Sequence, residues 1–479
     1  METNFENNQI SSAKLPLYYS TKTLCPVCNN LVAGKVVAKN GQVFIERQCP
    51  DHGFYEGLVC SDMVWYERLP QFYAEGMKPS NPLNTISKGC PNDCGLCNAH
   101  SQIAGVLAIE VSNKCNSSCP CCITHNLNTF ELTVHDVENI VNTTLKNQVS
   151  INTASLTGGE PTIHPNFFEI LEILNRPEID FISINTNGIR IANDEDFVKK
   201  LAAIKNIYIS LHYDGVHSKQ LRGIEHSVQV KAANRLNEYG IDMVPIILVA
   251  KGYNDVESGT IIENLFTNYP TIKSITVSLM AYTGENGSRF KFNPLTRLTI
   301  PETLDTIEKS SKMQIKKADF IPIPMPNPMC TAIGYFLFMD NEITPLFQFG
   351  ELNQIINYLK NGHFAKLTPE FSLFIRDSIN EIYASPEKFP NSDKLLRKIK
   401  NLYKLLFPQN QNISNKEREQ IAAKYLRVVY LYQMMDSWSF DSKRLSRCSC
   451  QHGFPDGRII PTCSYYSYHS KFDGRYIIQ

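Results

Sequence analysis

The chain has 479 residues, 43% of them apolar and 20% charged, with Lys+Arg and Asp+Glu balanced at 47 each. That length exceeds one compact core, so roughly two to four domains are expected, and the composition is that of a soluble globular protein. Zero formal net charge argues against a dedicated nucleic-acid binder, and no run of about eighteen apolar residues is present to span a bilayer.

The start, METNFENNQISSAKLPLYYS, lacks the basic-then-apolar order of a secretory signal. A cytoplasmic setting with reduced cysteines is the expectation. The 15 cysteines are uneven. Eleven lie in 25–122, three lie in 448–463, and Cys330 stands alone between them. Such bunching points to metal.

Residues 1–85 carry short β-like runs such as GKVVAKNGQVFIERQ between cysteine pairs. CPVC (25–28) and CPDH (49–52) make a CxxC…CxxH ribbon site for one tetrahedral metal. Cys25, Cys28, Cys49 and His52 are the simplest ligand set. Cys60 in place of His52 would give an all-thiolate, rubredoxin-like iron site, and spacing does not separate zinc from iron. Residues 86–104 form a loop containing GCPNDCGLC, with Cys90, Cys94 and Cys97 in C-x3-C-x2-C spacing. That reads as an auxiliary metal centre for electron transfer or substrate anchoring, or as a plain zinc loop. No fourth ligand is evident.

From 105 to 325, short apolar runs (GVLAIEVS, SINTASLTGG, IDFISINTNG, NIYISLHYDG, IDMVPIILVAKG, SITVSLMAY) alternate with amphipathic stretches such as HPNFFEILEILN and HSVQVKAANRLNEYG. A strand–helix unit repeated about six times predicts an α/β fold, a partial (β/α)6 TIM-like barrel. Ligands of such folds gather at the C-terminal strand ends. Directly after the first of these strands, KCNSSCPCC repeats the C-x3-C-x2-C spacing at Cys115, Cys119 and Cys122. Three thiolates hold three irons of a 4Fe–4S cluster and leave the fourth iron open. A zinc knuckle is the bland alternative.

The proline-rich PIPMPNPM (322–329) reads as a boundary. Residues 326–446 are expected to be mostly helical, through LNQIINYLKN, FSLFIRDSINEIY, DKLLRKIKNLYKLLF and AAKYLRVVYLYQMM. The segment 447–479 returns to cysteines: Cys448, Cys450 and Cys463 join Cys330 as four thiols, enough for a fully ligated 4Fe–4S cluster or tetrahedral zinc.

The cysteine loop, TGGEP (157–161), INTNG (184–188), ISLHYDG (209–215), LRGI (221–224) and LVAKGYND (248–255) together resemble the radical S-adenosylmethionine (SAM) superfamily. The resemblance implies that Cys115, Cys119 and Cys122 hold the catalytic cluster. It implies that Gly158, Gly159 and Glu160 hold the SAM amino group, and that Asn187, Ser210 and Arg222 meet its ribose and carboxylate. Cys121 stands where the superfamily often has an aromatic residue and is read as a small apolar filler. Tyr213, His212 and Tyr282 lie near strand ends, and nothing selects one as an acid or base. Adding the ribbon, the GCPNDCGLC loop, MMDSWSFD and PDGRIIPTC, the chain resembles the group containing archaeal tetraether lipid synthases and dihydropterin C-methylating proteins.

The expected function is a radical SAM enzyme acting at an unactivated C–H bond, first as C–C bond formation on a lipid-type substrate. The alternative is C-methylation or carbon transfer on a small heterocycle such as a pterin. A non-catalytic zinc/iron-cysteine scaffold is the reading from another class. The implied cofactors are one catalytic and one or two auxiliary 4Fe–4S clusters, SAM, and one mononuclear iron or zinc. The implied partners are a lipid or small-molecule substrate and a reduced flavodoxin- or ferredoxin-type donor, with peripheral membrane contact an option. A long apolar channel would favour the lipid; a polar pocket would favour the heterocycle.

Overall fold

A four-stranded antiparallel meander opens the fold: β1 (Ser20–Leu24), β2 (Leu31–Lys39), β3 (Gln42–Cys49) and β4 (Gly53–Cys60), each paired with the next. Asn40 and Gly41 both take positive φ (48° and 75°) between β2 and β3, the two-residue hairpin turn that an Asn-Gly pair favours. The computed structural model describes residues 17–476 apart from 83, 96, 125, 270, 285, 326, 340–341, 347–355, 357–358, 360–368 and 390.

Six strands follow: β5 (Val106–Ser112), β6 (Ile151–Gly158), β7 (Ile179–Thr186), β8 (Ile207–Leu211), β9 (Ile246–Val249) and β10 (Ser274–Leu279). Helices such as Val134–Leu145, Phe167–Leu174, His226–Glu238 and Ser258–Asn268 connect them. β5 to β8 pair in parallel, as do β9 and β10. Parallel bridges at Ile209–Met243 and His212–Ile246 join the two runs. This is the partial (β/α)6 barrel that the alternating pattern predicts.

The wall then grows at both edges. β11 (Thr331–Met339), β12 (Glu342–Pro345), β13 (Leu426–Gln433), β14 (Cys450–Gly453) and β15 (Ile459–Pro461) come from later segments. β13 pairs parallel to β10, and β14 pairs parallel to β5. Antiparallel β11 and β15 lie outside them. The order β14-β5-β6-β7-β8-β9-β10-β13 is therefore an eight-stranded parallel wall. Residues 434–449 cross from one edge to the other.

The stretch AAKYLRVVYLYQMM, expected as helix, is helical only as far as Tyr425, and Leu426–Gln433 is β13. β-branched and aromatic side chains suit a strand. Val429 and Leu431 enter the main core, while Tyr430 and Tyr432 take the other face. The helices Pro369–Ala384, Ser392–Leu406 and Asn415–Tyr425 pack around their own core of Ile375, Ile382, Leu395, Ile399, Leu402 and Leu406. LNQIINYLKN falls almost wholly outside the described residues.

Parallel strands covered on both faces usually read as continuous apolar runs. These alternate instead. Leu107, Ile109, Leu156, Ile182, Ile184, Ile209, Ile247, Val277 and Leu431 face the helices in one core. The other face, toward the lumen, is largely polar, though it carries Phe181, Ile246 and Leu248: Asn185 Nδ2 donates to Ser155 Oγ at 2.7 Å, and the Ser183 and Ser210 hydroxyls lie 2.8 Å apart. Ser183 and Thr153 lie near the Tyr208 hydroxyl, and Ser278 near that of Tyr432. Asn185, Tyr208, Tyr432 and Cys450 on this face are half-buried. No helix among the described residues is long and apolar enough to cross a membrane.

Candidate cofactor and metal sites

The loop after β5 is pinned at its base. Asn113 Oδ1 accepts from Thr129 N (2.9 Å) and Phe130 N (3.1 Å), and its Nδ2 donates to Thr129 Oγ1 at 2.7 Å. The loop then lies across the strand ends. Cys121 N donates to Leu221 O at 3.2 Å and Gly287 N to Cys122 O at 2.8 Å. Asn286 Nδ2 donates to Cys119 O at 3.1 Å. Cys115, Cys119 and Cys122 are thereby brought together. Burial, then the charges of Glu160, Cys119 and Cys122, pushes the Cys115 thiol up to about 12. Burial raises the Cys119 thiol as well, and clustered buried thiols suit a donor set that a multiply charged iron centre neutralises. Cys121 packs with Leu221, Leu248 and Met280.

Gly158 and Gly159 serve this loop by close backbone approach. A Cβ on Gly158, whose φ is +128°, would meet Ser112 O at 2.1 Å, and one on Gly159 would meet Lys114 O at 2.0 Å. Gly159 N and Glu160 N donate to Ser112 O (2.7 Å) and Lys114 O (2.8 Å). Glu160 is buried, and its carboxylate accepts from Thr162 N, Thr162 Oγ1, Thr186 Oγ1 and Asn187 N at 2.6–3.2 Å. Burial raises its pKa and these donors oppose the rise. The carboxylate thus ties β6 to β7. Asn187 Nδ2 donates to Asn116 Oδ1 at 2.8 Å, tying β7 to the cysteine loop.

Ser210 faces the lumen beside Ser183. Arg222 is buried, and its Nε pairs with Asp214 Oδ2 at 2.8 Å. Asp214 thus takes one edge of the guanidinium expected to meet a ligand carboxylate. His212 and Tyr432 lie within the electrostatic reach of Arg222. A cleft of about 650 Å3 opens beside Cys115, between Asn116–Ser118, Ile189 and Gly223–Glu225.

In the ribbon, Cys28 Sγ lies 3.9 Å from Cys49 Sγ, and His52 Nδ1 lies 3.9 Å from Cys25 Sγ and 3.5 Å from Cys49 Sγ. A tetrahedral ion with bonds of about 2.3 Å sets its ligands roughly 3.8 Å apart. The quartet fits one such ion. Among the described residues it is the one group of three or more such donors lying within 4.8 Å of one another. Cys60 is apart: its thiol donates to Asp62 O at 3.3 Å, and burial pushes it up to about 12.

Residues 109–265 match the radical SAM superfamily model, and residues 17–61 match the HMPTM N-terminal zinc ribbon domain. The chain is a radical SAM enzyme. A 7,8-dihydro-6-hydroxymethylpterin dimethyltransferase of Methanocaldococcus jannaschii is 25% identical over 493 residues, covering 94% of this chain and 93% of that one. A probable GTP 3′,8-cyclase of Thermococcus kodakarensis is 29% identical over 33% of this chain, which spans about half (52%) of the cyclase's length. Streptococcus suis SuiB bound to S-adenosylmethionine aligns at 20% identity and a TM-score of 0.36, over 43% of this chain and 46% of that one. Radical SAM enzymes use a 4Fe–4S cluster and SAM, and the ribbon quartet points to a further metal.

This radical SAM enzyme gathers its other cysteines near residues 434–449. Cys330 precedes β11, Cys448 and Cys450 lead into β14, and Cys463 follows β15. Burial, then Cys463, Cys450 and Cys330, pushes the Cys448 thiol well above its usual value. Burial and then Cys330 push Cys463 up to about 12. These four expected partners are neighbours. The buried Arg444 donates from Nη2 to Cys330 Sγ at 3.2 Å, a cation that the sequence reading did not single out. Cys94 and Cys97 both lie within electrostatic reach of Cys90. Cys90, Cys94 and Cys463 pack against one apolar cluster of Leu24, Met435, Phe440 and Leu445.

Proposed function

We propose that this radical SAM enzyme methylates, or otherwise adds carbon to, a small polar heterocycle of the dihydropterin kind. The largely polar lumen carries the reading. A lipid needs an apolar channel, and the helix Pro369–Ala384 packs Ile375 and Ile382 against Leu395, Ile399, Leu402 and Leu406, while β13 puts Val429 and Leu431 into the main core. Tyr208, Tyr432, Asn185, Ser155 and Ser183 instead offer hydroxyls and amides where a flat heterocycle presents ring nitrogens and carbonyls. Similarity to the pterin dimethyltransferase over 94% of the chain supports the same choice over the lipid-coupling reading.

When bound, the cluster and SAM supply a carbon radical able to take hydrogen from an unactivated C–H bond. Cys115, Cys119 and Cys122 would hold the cluster. Gly158 and Gly159 let the β6 end press against the loop, Glu160 and Asn187 fix that junction, and Ser210 and Arg222 flank the SAM side. The surrounding wall orients substrate and excludes water. Cys90, Cys94, Cys97 and the Cys330, Cys448, Cys450, Cys463 quartet would hold auxiliary centres fed by a reduced electron donor.

The test is anaerobic turnover of the iron- and sulfide-reconstituted enzyme with SAM, dithionite and 7,8-dihydro-6-hydroxymethylpterin. The expected result is 5′-deoxyadenosine together with a pterin heavier by one or two methyl groups, neither formed by Cys115→Ala/Cys119→Ala/Cys122→Ala. Formation of 5′-deoxyadenosine with untouched pterin and coupled alkyl chains from added lipid would overturn the heterocycle.

A further inference from the structure

Three cysteines in C-x3-C-x2-C spacing leave one iron of a cluster open, and an open metal site takes a small ligand. The Cys90 loop repeats the spacing of the Cys115 loop, so its chemistry turns on whether a fourth protein ligand is present. The helix Thr462–Ser467 carries Cys463 near its start, and His469 follows two residues past its end. That end of the helix is docked on the Cys90 loop. Tyr468 Oη donates to Asn92 Oδ1 at 2.7 Å, and His469 Nε2 lies 3.0 Å from Pro91 O. A carbonyl only accepts, so the hydrogen-bond network assigns the ring proton to Nε2 and leaves Nδ1 with a lone pair. The Cys94 thiol lies within electrostatic reach of the His469 ring and 3.6 Å from Ser464 Oγ of that helix. A histidine with one nitrogen tied to a backbone carbonyl and the other free for metal is the usual arrangement of an imidazole ligand.

We infer that His469 is the fourth ligand of the centre held by Cys90, Cys94 and Cys97, and that this centre is closed to substrate. The inference rests on the proposal that this loop binds metal. Ligand atoms too widely spread for one tetrahedral ion suit a cluster. A neutral imidazole in place of a thiolate removes one negative charge and raises the reduction potential, the direction seen when histidine replaces cysteine at iron–sulfur centres. The loop then passes electrons and leaves substrate to the lumen. Cys463 lies in this short helix and His469 just past its end, so a single element serves both auxiliary centres.

The test uses the Cys115→Ala/Cys119→Ala/Cys122→Ala protein, which removes the catalytic cluster's signal. Iron and sulfide are counted, and 15N-histidine-labelled protein is examined after reduction by pulsed EPR. The expected result is a histidine nitrogen coupling that disappears in both His469→Ala and His469→Cys, with iron recovered in the cysteine variant. Adding Cys90→Ala/Cys94→Ala/Cys97→Ala should remove one cluster's iron and leave the quartet's. If those alanines remove no metal, the parent reading fails. If they remove a cluster but the wild-type loop shows no histidine coupling and His469→Ala keeps its iron and spectrum, ligation by His469 is overturned.

Discussion

His164 has both ring nitrogens engaged: Nε2 lies 3.0 Å from Leu132 O, and Nδ1 accepts from Asn166 N at 3.2 Å. Only the neutral ring satisfies both partners, because a protonated Nδ1 cannot accept. Burial, its largest influence, lowers its pKa. A histidine held neutral in the fold and free to charge when unfolded supports stability above about pH 6.5 and loses that support as pH falls. His164→Gln should therefore flatten the acid limb of a Tm-against-pH curve, by up to about 1.4 kcal/mol per pH unit for one proton. An unchanged slope would remove His164 from the acid response. At this scale the sequence was readable where ligands are close in the chain: Cys25, Cys28, Cys49 and His52 meet across one meander. The contacts His469–Pro91 and Arg444–Cys330 escaped it because each joins segments more than a hundred residues apart, with no spacing rule to mark them.

Strands and loops were readable to the extent that their pattern was local. Alternation marked β5 to β10, because apolar side chains face the helices and hydroxyls face the lumen. It failed at β13, where RVVYLYQ has enough apolar residues to read as either element; the parallel partner β10, far back in the chain, decides it. The GG pair was legible as a motif, but its local partner was not: the glycines press on the cysteine loop's backbone. Gly159→Ala should therefore dislodge that loop, at about 1–3 kcal/mol of overpacking. The reconstituted variant should lose the catalytic cluster's iron while the ribbon metal stays bound, as elemental analysis will show. Simultaneous loss of both would mean general unfolding.

The whole molecule is held across its seam by polar joints. Arg297 and Asp436, both buried, pair at 2.7 Å, and Asp436 also accepts from Tyr282 N at 3.0 Å. Arg47 donates from the ribbon to the backbone carbonyls of Ser437 and Trp438. Asp436→Ala leaves a buried guanidinium uncompensated and should cost about 3–5 kcal/mol, with Arg297→Met/Asp436→Leu costing less. Urea titration of both variants checks the order, and equal losses would show that the ion pair itself contributes little. This architecture was only half visible beforehand, since six strands announce themselves and the two flanking ones do not. Their origin also sets a timetable for biogenesis. β13 and β14 leave the ribosome long after the strands they flank, so the nascent chain waits with the outer edges of β5 and β10 unpaired, a slow and aggregation-exposed stage. Cys330 emerges well before Cys448, Cys450 and Cys463, so a metal shared by that quartet must wait for the last of them, whereas the ribbon can take its metal while the rest of the chain is still being made.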